Sequence, residues 1–325
     1  MIDRRAFVGA AAALLGGAPF RVRAQTTAPA KIGFLGNANP ITGGSQLEAF
    51  RRGLREAGQV EGRDFTIEYR WADGNSARLP RLAAELIAAK VKVIVLSGPL
   101  AMRAARELTD TIPIVFVILT DPVAMGLVQS FARPGGNMTG LASQYDELIT
   151  KQMQLLKEAV PGLSRIALLR HTTGSPAILA AAESTARTLG LVSRTLEVSS
   201  TTELEGAFKT ARSERVGAIH VLPSPYLGAN RVPLIALAAR YRIPAFYELR
   251  LYVVDGGLMS YGPSIDDLYG RSATYVDRIL KGGDPATMAI ERPTRFELVI
   301  NRKTAAALGL TIAPSLLQRA DEVIG

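Results

Sequence analysis

The feature that most restricts this chain is an alternation that runs once and then starts again. Short runs of β-branched and apolar residues alternate with stretches whose apolar residues recur at helical spacing. Parallel neighbours in a sheet need a long connection, so this order points to parallel sheets with crossover helices. In the first half, strands are predicted at Lys31–Gly36, Phe65–Tyr69, Val91–Leu96 and Ile112–Val117. Helices are predicted at Gln46–Ala57, Arg78–Ala89 and Leu100–Leu108. Leu47, Phe50 and Leu54 share one face of the first helix, and Gly58 stops it. Arg133-Pro134-Gly135-Gly136-Asn137 then breaks the pattern as a turn-rich connection.

The same grammar restarts with a helix at Glu147–Ala159 and a strand at Ile166–Leu169. A helix at Pro176–Leu189, a strand near Leu196–Val198, a helix at Thr202–Arg212 and a strand at Ala218–Leu222 follow. Next come a helix near Val232–Tyr241 and strands at Pro244–Tyr247 and Leu258–Tyr261. A helix at Ile265–Leu280, a turn at Gly282–Pro285, a strand at Phe296–Ile300 and two short helices close the chain. The 325 residues exceed one small core and suit two lobes. The fold class expected is α/β, with two Rossmann-like parallel-sheet lobes.

The first residues read as an export signal. Arg4 and Arg5 precede a short apolar run to about Ala18, and Val22-Arg23-Ala24 offers small residues for cleavage after Ala24. The run is shorter than the roughly 20 apolar residues of a bilayer span. Arg4-Arg5-Ala6-Phe7 is compatible with either the twin-arginine or the general secretory route. Residues 1–24 are therefore read as a signal peptide, and the mature chain is expected in the periplasm. The chain has no Cys, which removes disulfides, thiolate metal sites, Cys nucleophiles and a lipid anchor on Cys. Of the formal net charge of +9, three units belong to the signal, leaving +6 on the mature chain. Those basic residues are interleaved with Asp and Glu along the helices and form no stripe with aromatic platforms, so nucleic acid is not expected as a partner.

In open α/β sheets, ligands bind beyond the carboxyl ends of the strands. Those ends carry small, polar or aromatic residues. In the first half they include Asn37, Ser97, Thr120 and Asp121; in the second, His171, Thr172, Ser224 and Tyr247. The helices that follow present free N–H groups suited to a carboxylate. Asp121 can either offset a ligand ammonium or, standing before Pro122, serve only as a cap. Tyr145, Tyr247 and Tyr261 can cover an apolar ligand body, although Tyr261 can equally pack a hinge. The ligand expected from this set is a small amphipathic carboxylate such as an amino acid. No nucleophile elbow, Walker loop, zincin motif or dinucleotide fingerprint occurs, so neither an enzyme nor a cofactor is expected.

Several segments resemble one family. They are Asp121-Pro122-Val123 through Gly126-Leu127-Val128, Arg133 through Gly140, Gly256 through Gly262, Tyr275 through Gly282, and Phe296 through Asn301. Together they resemble the ABC transporter substrate-binding proteins that include tryptophan-binding members and have a type I periplasmic-binding fold. The resemblance implies two lobes joined by three crossings, near Gly140–Ser143, Leu258–Tyr261 and Arg292–Phe296. It places residues 31–139 with 262–290 in the first lobe and 143–258 with 296–325 in the second. It further implies a small-molecule ligand held by lobe closure, a membrane permease as partner, and a monomer. A sensor component that presents ligand to a membrane kinase would share this clamp.

Overall fold

The computed structural model describes residues 28–37, 40, 43–119, 121–143 and 146–325. The signal segment, Thr120 and Tyr145 lie outside the described residues. The first lobe opens with β1 (Ala30–Gly36), α1 (Gly44–Glu56), β2 (Phe65–Trp71), α2 (Leu79–Ala88), β3 (Val93–Ser97), α3 (Pro99–Arg106), β4 (Ile114–Leu119) and β5 (Met138–Ala142). These strands form one parallel sheet in the order β2-β1-β3-β4-β5. The buried strand β5 was not expected: it starts directly after the turn-rich Arg133–Asn137 connection and runs into the crossing expected near Gly140–Ser143. Gly140 explains how it pairs: a Cβ there would lie 2.0 Å from the Phe116 carbonyl oxygen, a distance only glycine permits.

The second lobe contains α4 (Asp146–Ala159), β6 (Arg165–His171), α5 (Pro176–Thr188), β7 (Val192–Val198), α6 (Thr201–Ser213), β8 (Ala218–Val221), α7 (Pro225–Ala229), α8 (Arg231–Tyr241), β9 (Ala245–Tyr247), α9 (Arg250–Val254) and β10 (Met259–Pro263). The chain then returns to the first lobe as α10 (Ile265–Leu280), which packs on α1. It ends in the second lobe with β11 (Phe296–Asn301), α11 (Arg302–Ala307), α12 (Pro314–Gln318) and β12 (Glu322–Ile324). The second sheet has the order β12-β11-β10-β9-β8-β6-β7. It is not wholly parallel: β11 runs antiparallel to β10. The physical reason is that β11 is reached from the other lobe and not by a crossover helix on its own sheet.

Each sheet is covered on both faces, as its apolar strands require. In the first lobe, Phe34, Val95 and Val115 pack toward α1 and α10, while Leu35, Ile94 and Phe116 pack toward α2 and α3. In the second, Ile166, Leu168 and Phe246 face α4 and α5, and Ala167, Leu169 and Ile219 face α6 and α8. The expected two-lobed α/β architecture is the one observed. Three segments join the lobes: the stretch between β5 and α4, the step from Pro263 to Ile265, and the residues before β11.

A buried polar chain ties α4, β10 and β8 together within the second lobe. Gln152 of α4 donates Nε2 to the Tyr261 carbonyl of β10 at 2.7 Å. Its Oε1 lies 3.0 Å from Nε2 of His220 in β8. Since the Gln152 oxygen must accept, His220 Nε2 carries the proton and Nδ1 is left as a buried acceptor with no partner.

Candidate functional site

Both sheets reverse their strand order next to the first strand of the lobe, between β1 and β3 and between β6 and β8. A crevice opens at the carboxyl ends where neighbouring connections leave in opposite directions. Four residues expected from the sequence stand at these two points: Asn37 and Ser97 in the first lobe, His171 and Ser224 in the second.

Asn37 follows β1 and is half-buried. Its Oδ1 accepts from Ser76 Oγ at 3.3 Å, and its carbonyl accepts from Gly74 N–H at 2.7 Å. These bonds hold the β2–α2 loop against the end of β1. Ser97 ends β3, where its hydroxyl bonds Tyr269. Burial pushes the Tyr269 phenol up to about 12, so it stays protonated. Beyond Ser97, Gly98 adopts φ 81° and Pro99 begins α3. No side chain caps α3, so its first turn presents N–H groups free for an anion. Trp71, at the end of β2, is half-buried, and its ring covers Gly36 and Phe34. A Cβ at Gly36 would lie 2.3 Å from that ring, so the absence of a side chain at Gly36 sets where the indole can lie.

Asp121 is exposed and follows the end of β4. Its Oδ1 accepts from the N–H groups of Val123 at 3.1 Å and Ala124 at 2.9 Å. The expected helix after it is a turn over residues 122–126, so the carboxylate caps a turn.

In the second lobe, His171 is buried at the end of β6 and stacks on Tyr226 with ring centroids 4.3 Å apart. Its Nδ1 meets Thr173 Oγ1 at 2.7 Å and its Nε2 meets the Ser199 carbonyl at 3.3 Å. Thr172 is exposed, with its N–H on the Val198 carbonyl. Ser224 is buried and caps α7 through the Leu227 N–H at 3.4 Å. Tyr261 is half-buried and stacks on Phe296 at 6.1 Å. Tyr247 is placed differently from the ligand-covering position expected of it. Strand alternation turns it into the second-lobe core, where it is 0% exposed and stacks on Tyr252 at 4.6 Å.

One further residue is legible from the sequence as part of a strand end but carries no ligand-binding expectation. Glu248, directly after β9, is only 6% exposed. Its carboxyl takes a hydrogen bond from the Ser224 N–H, yet burial pushes its pKa up to about 8. A Glu after a short strand gives no sign of burial, so only the packing of β9 between β8 and β10 identifies it.

The two-lobed fold has counterparts among known proteins. The chain is 24% identical over 268 residues to a tyrosine-binding protein of Clostridioides difficile, spanning 81% of this chain and 76% of that one. A structure from Streptococcus pneumoniae, an ABC domain in complex with L-Trp, superposes with a TM-score of 0.81 at 25% identity, covering 91% of this chain and 100% of that one. A conserved domain protein from Vibrio cholerae superposes with a TM-score of 0.80 at 25% identity, covering 90% and 99%. The family described as ABC transporter substrate binding protein matches residues 43–324, and the chain belongs to that family.

Proposed function

We propose that the protein is the solute receptor of an ABC importer and captures a free amino acid between its lobes. The observation that carries this reading is the similarity of both lobes, in one superposition, to a structure holding L-Trp. The site chemistry supports it. The uncapped start of α3 after Ser97 and Gly98 suits a carboxylate, and the half-buried Trp71 and Tyr261 offer aromatic cover for an apolar side chain. Among the described residues no helix is long and apolar enough to cross a membrane. The chain works in the periplasm as a monomer and delivers its ligand to a membrane permease.

Calorimetric titration with the twenty L-amino acids, alongside mass spectrometry of solutes released on denaturation, tests this. The expected result is saturable binding of at least one aromatic amino acid. Heat from none of the twenty, together with a released solute of another chemical class, would replace this reading.

A further inference from the structure

A cavity of about 300 Å³ lies in the second lobe, between α8 and α11. Ala245, the first residue of β9, and Leu258, just before β10, both line it. These two strands run parallel, so the cavity sits toward their amino ends, away from the carboxyl ends where the crevice opens. Its walls are tied together. Thr304 of α11 donates its hydroxyl to the Gly256 carbonyl at 2.9 Å, and Arg242, just after α8, donates to the Ala307 carbonyl at 3.3 Å. Small residues leave the space open: Ala239 of α8, Ala307 of α11 and Gly256 all line it.

Tyr247 lines the same cavity. Its ring is fixed in place: it is 0% exposed, it stacks on Tyr252 at 4.6 Å, and a Cβ at Gly257 would lie 2.6 Å from its Cε2. Its hydroxyl is buried and has no hydrogen-bond partner among the described residues. A buried hydroxyl left unpaired is costly, and phenylalanine would fill the same space without that cost. A ligand atom that accepts from the hydroxyl would remove it. Lys303 of α11 is the one charged residue lining the cavity, and it is exposed and in no ion pair among the described residues. No Asp or Glu lines it, so a ligand ammonium would meet only a like charge. The rest of the lining is mainly apolar, including Ile235, Ile243 and Leu308. An apolar wall with a few polar groups is the usual make-up of a small-molecule site.

We propose that this cavity is a second binding site, for a small carboxylate with an apolar body and no amine. The carboxylate accepts from the Tyr247 hydroxyl and is balanced by the Lys303 ammonium, while the body lies against the apolar wall. This site is separate from the crevice and does not rest on the amino-acid reading above.

Octanoate is the probe, with octylammonium as the matched molecule of opposite charge. Calorimetry on the purified protein should show saturable octanoate binding at one site per chain, with octylammonium at least about tenfold weaker. A saturating amino acid in the crevice should leave octanoate affinity within about threefold. Tyr247→Phe should weaken octanoate by about tenfold and should raise the Tm of the ligand-free protein, since it removes an unpaired buried hydroxyl. Ala239→Leu, at the exposed rim, should fill the space and abolish binding. Lys303→Gln should narrow the preference for octanoate over octylammonium. Full octanoate affinity in both Tyr247→Phe and Ala239→Leu, displacement of octanoate by the amino acid, or no saturable octanoate binding would overturn the proposal. A lower Tm for ligand-free Tyr247→Phe would also overturn it, by showing that the hydroxyl is already satisfied. If no amino acid binds, the octanoate results stand alone and only the crevice reading fails.

Discussion

Glu248 and His220 pull stability in opposite directions with pH, and both effects come from burial. The folded-state pKa of Glu248 lies near 8, above its ordinary 4.5, so the folded chain keeps a proton that the unfolded chain gives up. Its contribution is complete below about pH 4.5 and is lost as pH rises toward 8. At about 1.4 kcal/mol per unit, this amounts to several kcal/mol. His220 is the reverse case, with a folded value of about 3 against an ordinary 6.5. Its contribution is present above pH 6.5 and is lost as pH falls toward 3. Thermal unfolding of ligand-free protein from pH 5 to 8.5 should therefore show Tm falling with pH on the Glu248 limb, and Glu248→Gln should flatten that fall. Parallel curves for the two proteins would show that Glu248 is not buried as a neutral acid. At this scale the sequence was legible only in part. Asn37, Ser97, His171 and Ser224 could be placed because strand ends can be located from apolar runs. Tyr247 and Glu248 are legible as a strand end too, but their burial is not, because one residue of register decides which face of β9 each side chain takes.

The contact between α1 and α10 depends on a single missing side chain. A Cβ at Gly53 would lie 2.2 Å from the Gly270 carbonyl oxygen and 2.8 Å from Ala273 Cβ. The two helices are far apart in sequence yet form the closest helix pair of the first lobe, with Phe50 and Leu54 of α1 and Ala273 of α10 in one core. Gly53→Ala improves the intrinsic helix propensity of α1 but forces the helices apart. Overpacking of this kind typically costs about 1–3 kcal/mol, more than the roughly 1 kcal/mol gained from propensity. Urea unfolding should show a lower midpoint for Gly53→Ala; an unchanged or higher midpoint would mean that the helices are not held at this spacing. The helices themselves were legible, since Leu47, Phe50 and Leu54 repeat at helical spacing. Their pairing was not, because a glycine on a helix face carries no apolar signal. The strand β5 is illegible for a related reason: five residues with glycine at their centre, next to the turn-rich Arg133–Asn137, carry no strand signal until the edge of β4 is there to pair with them.

Two lobes linked by three segments permit a hinge, and under the proposed function a ligand that touches both lobes favours the closed form by its extra contacts there. The Gln152 bridge from the Tyr261 carbonyl to His220 ties α4, β10 and β8 into one unit of the second lobe. Leu249 packs against the cores of both lobes at the line where they meet. Closure driven by an amino acid is the central expectation of the proposed function. Small-angle X-ray scattering of the mature protein, recorded alone and with saturating L-tyrosine or L-tryptophan as calorimetry selects, measures it most directly. A smaller radius of gyration with ligand is the predicted result, and an unchanged radius at confirmed saturation would contradict the clamp.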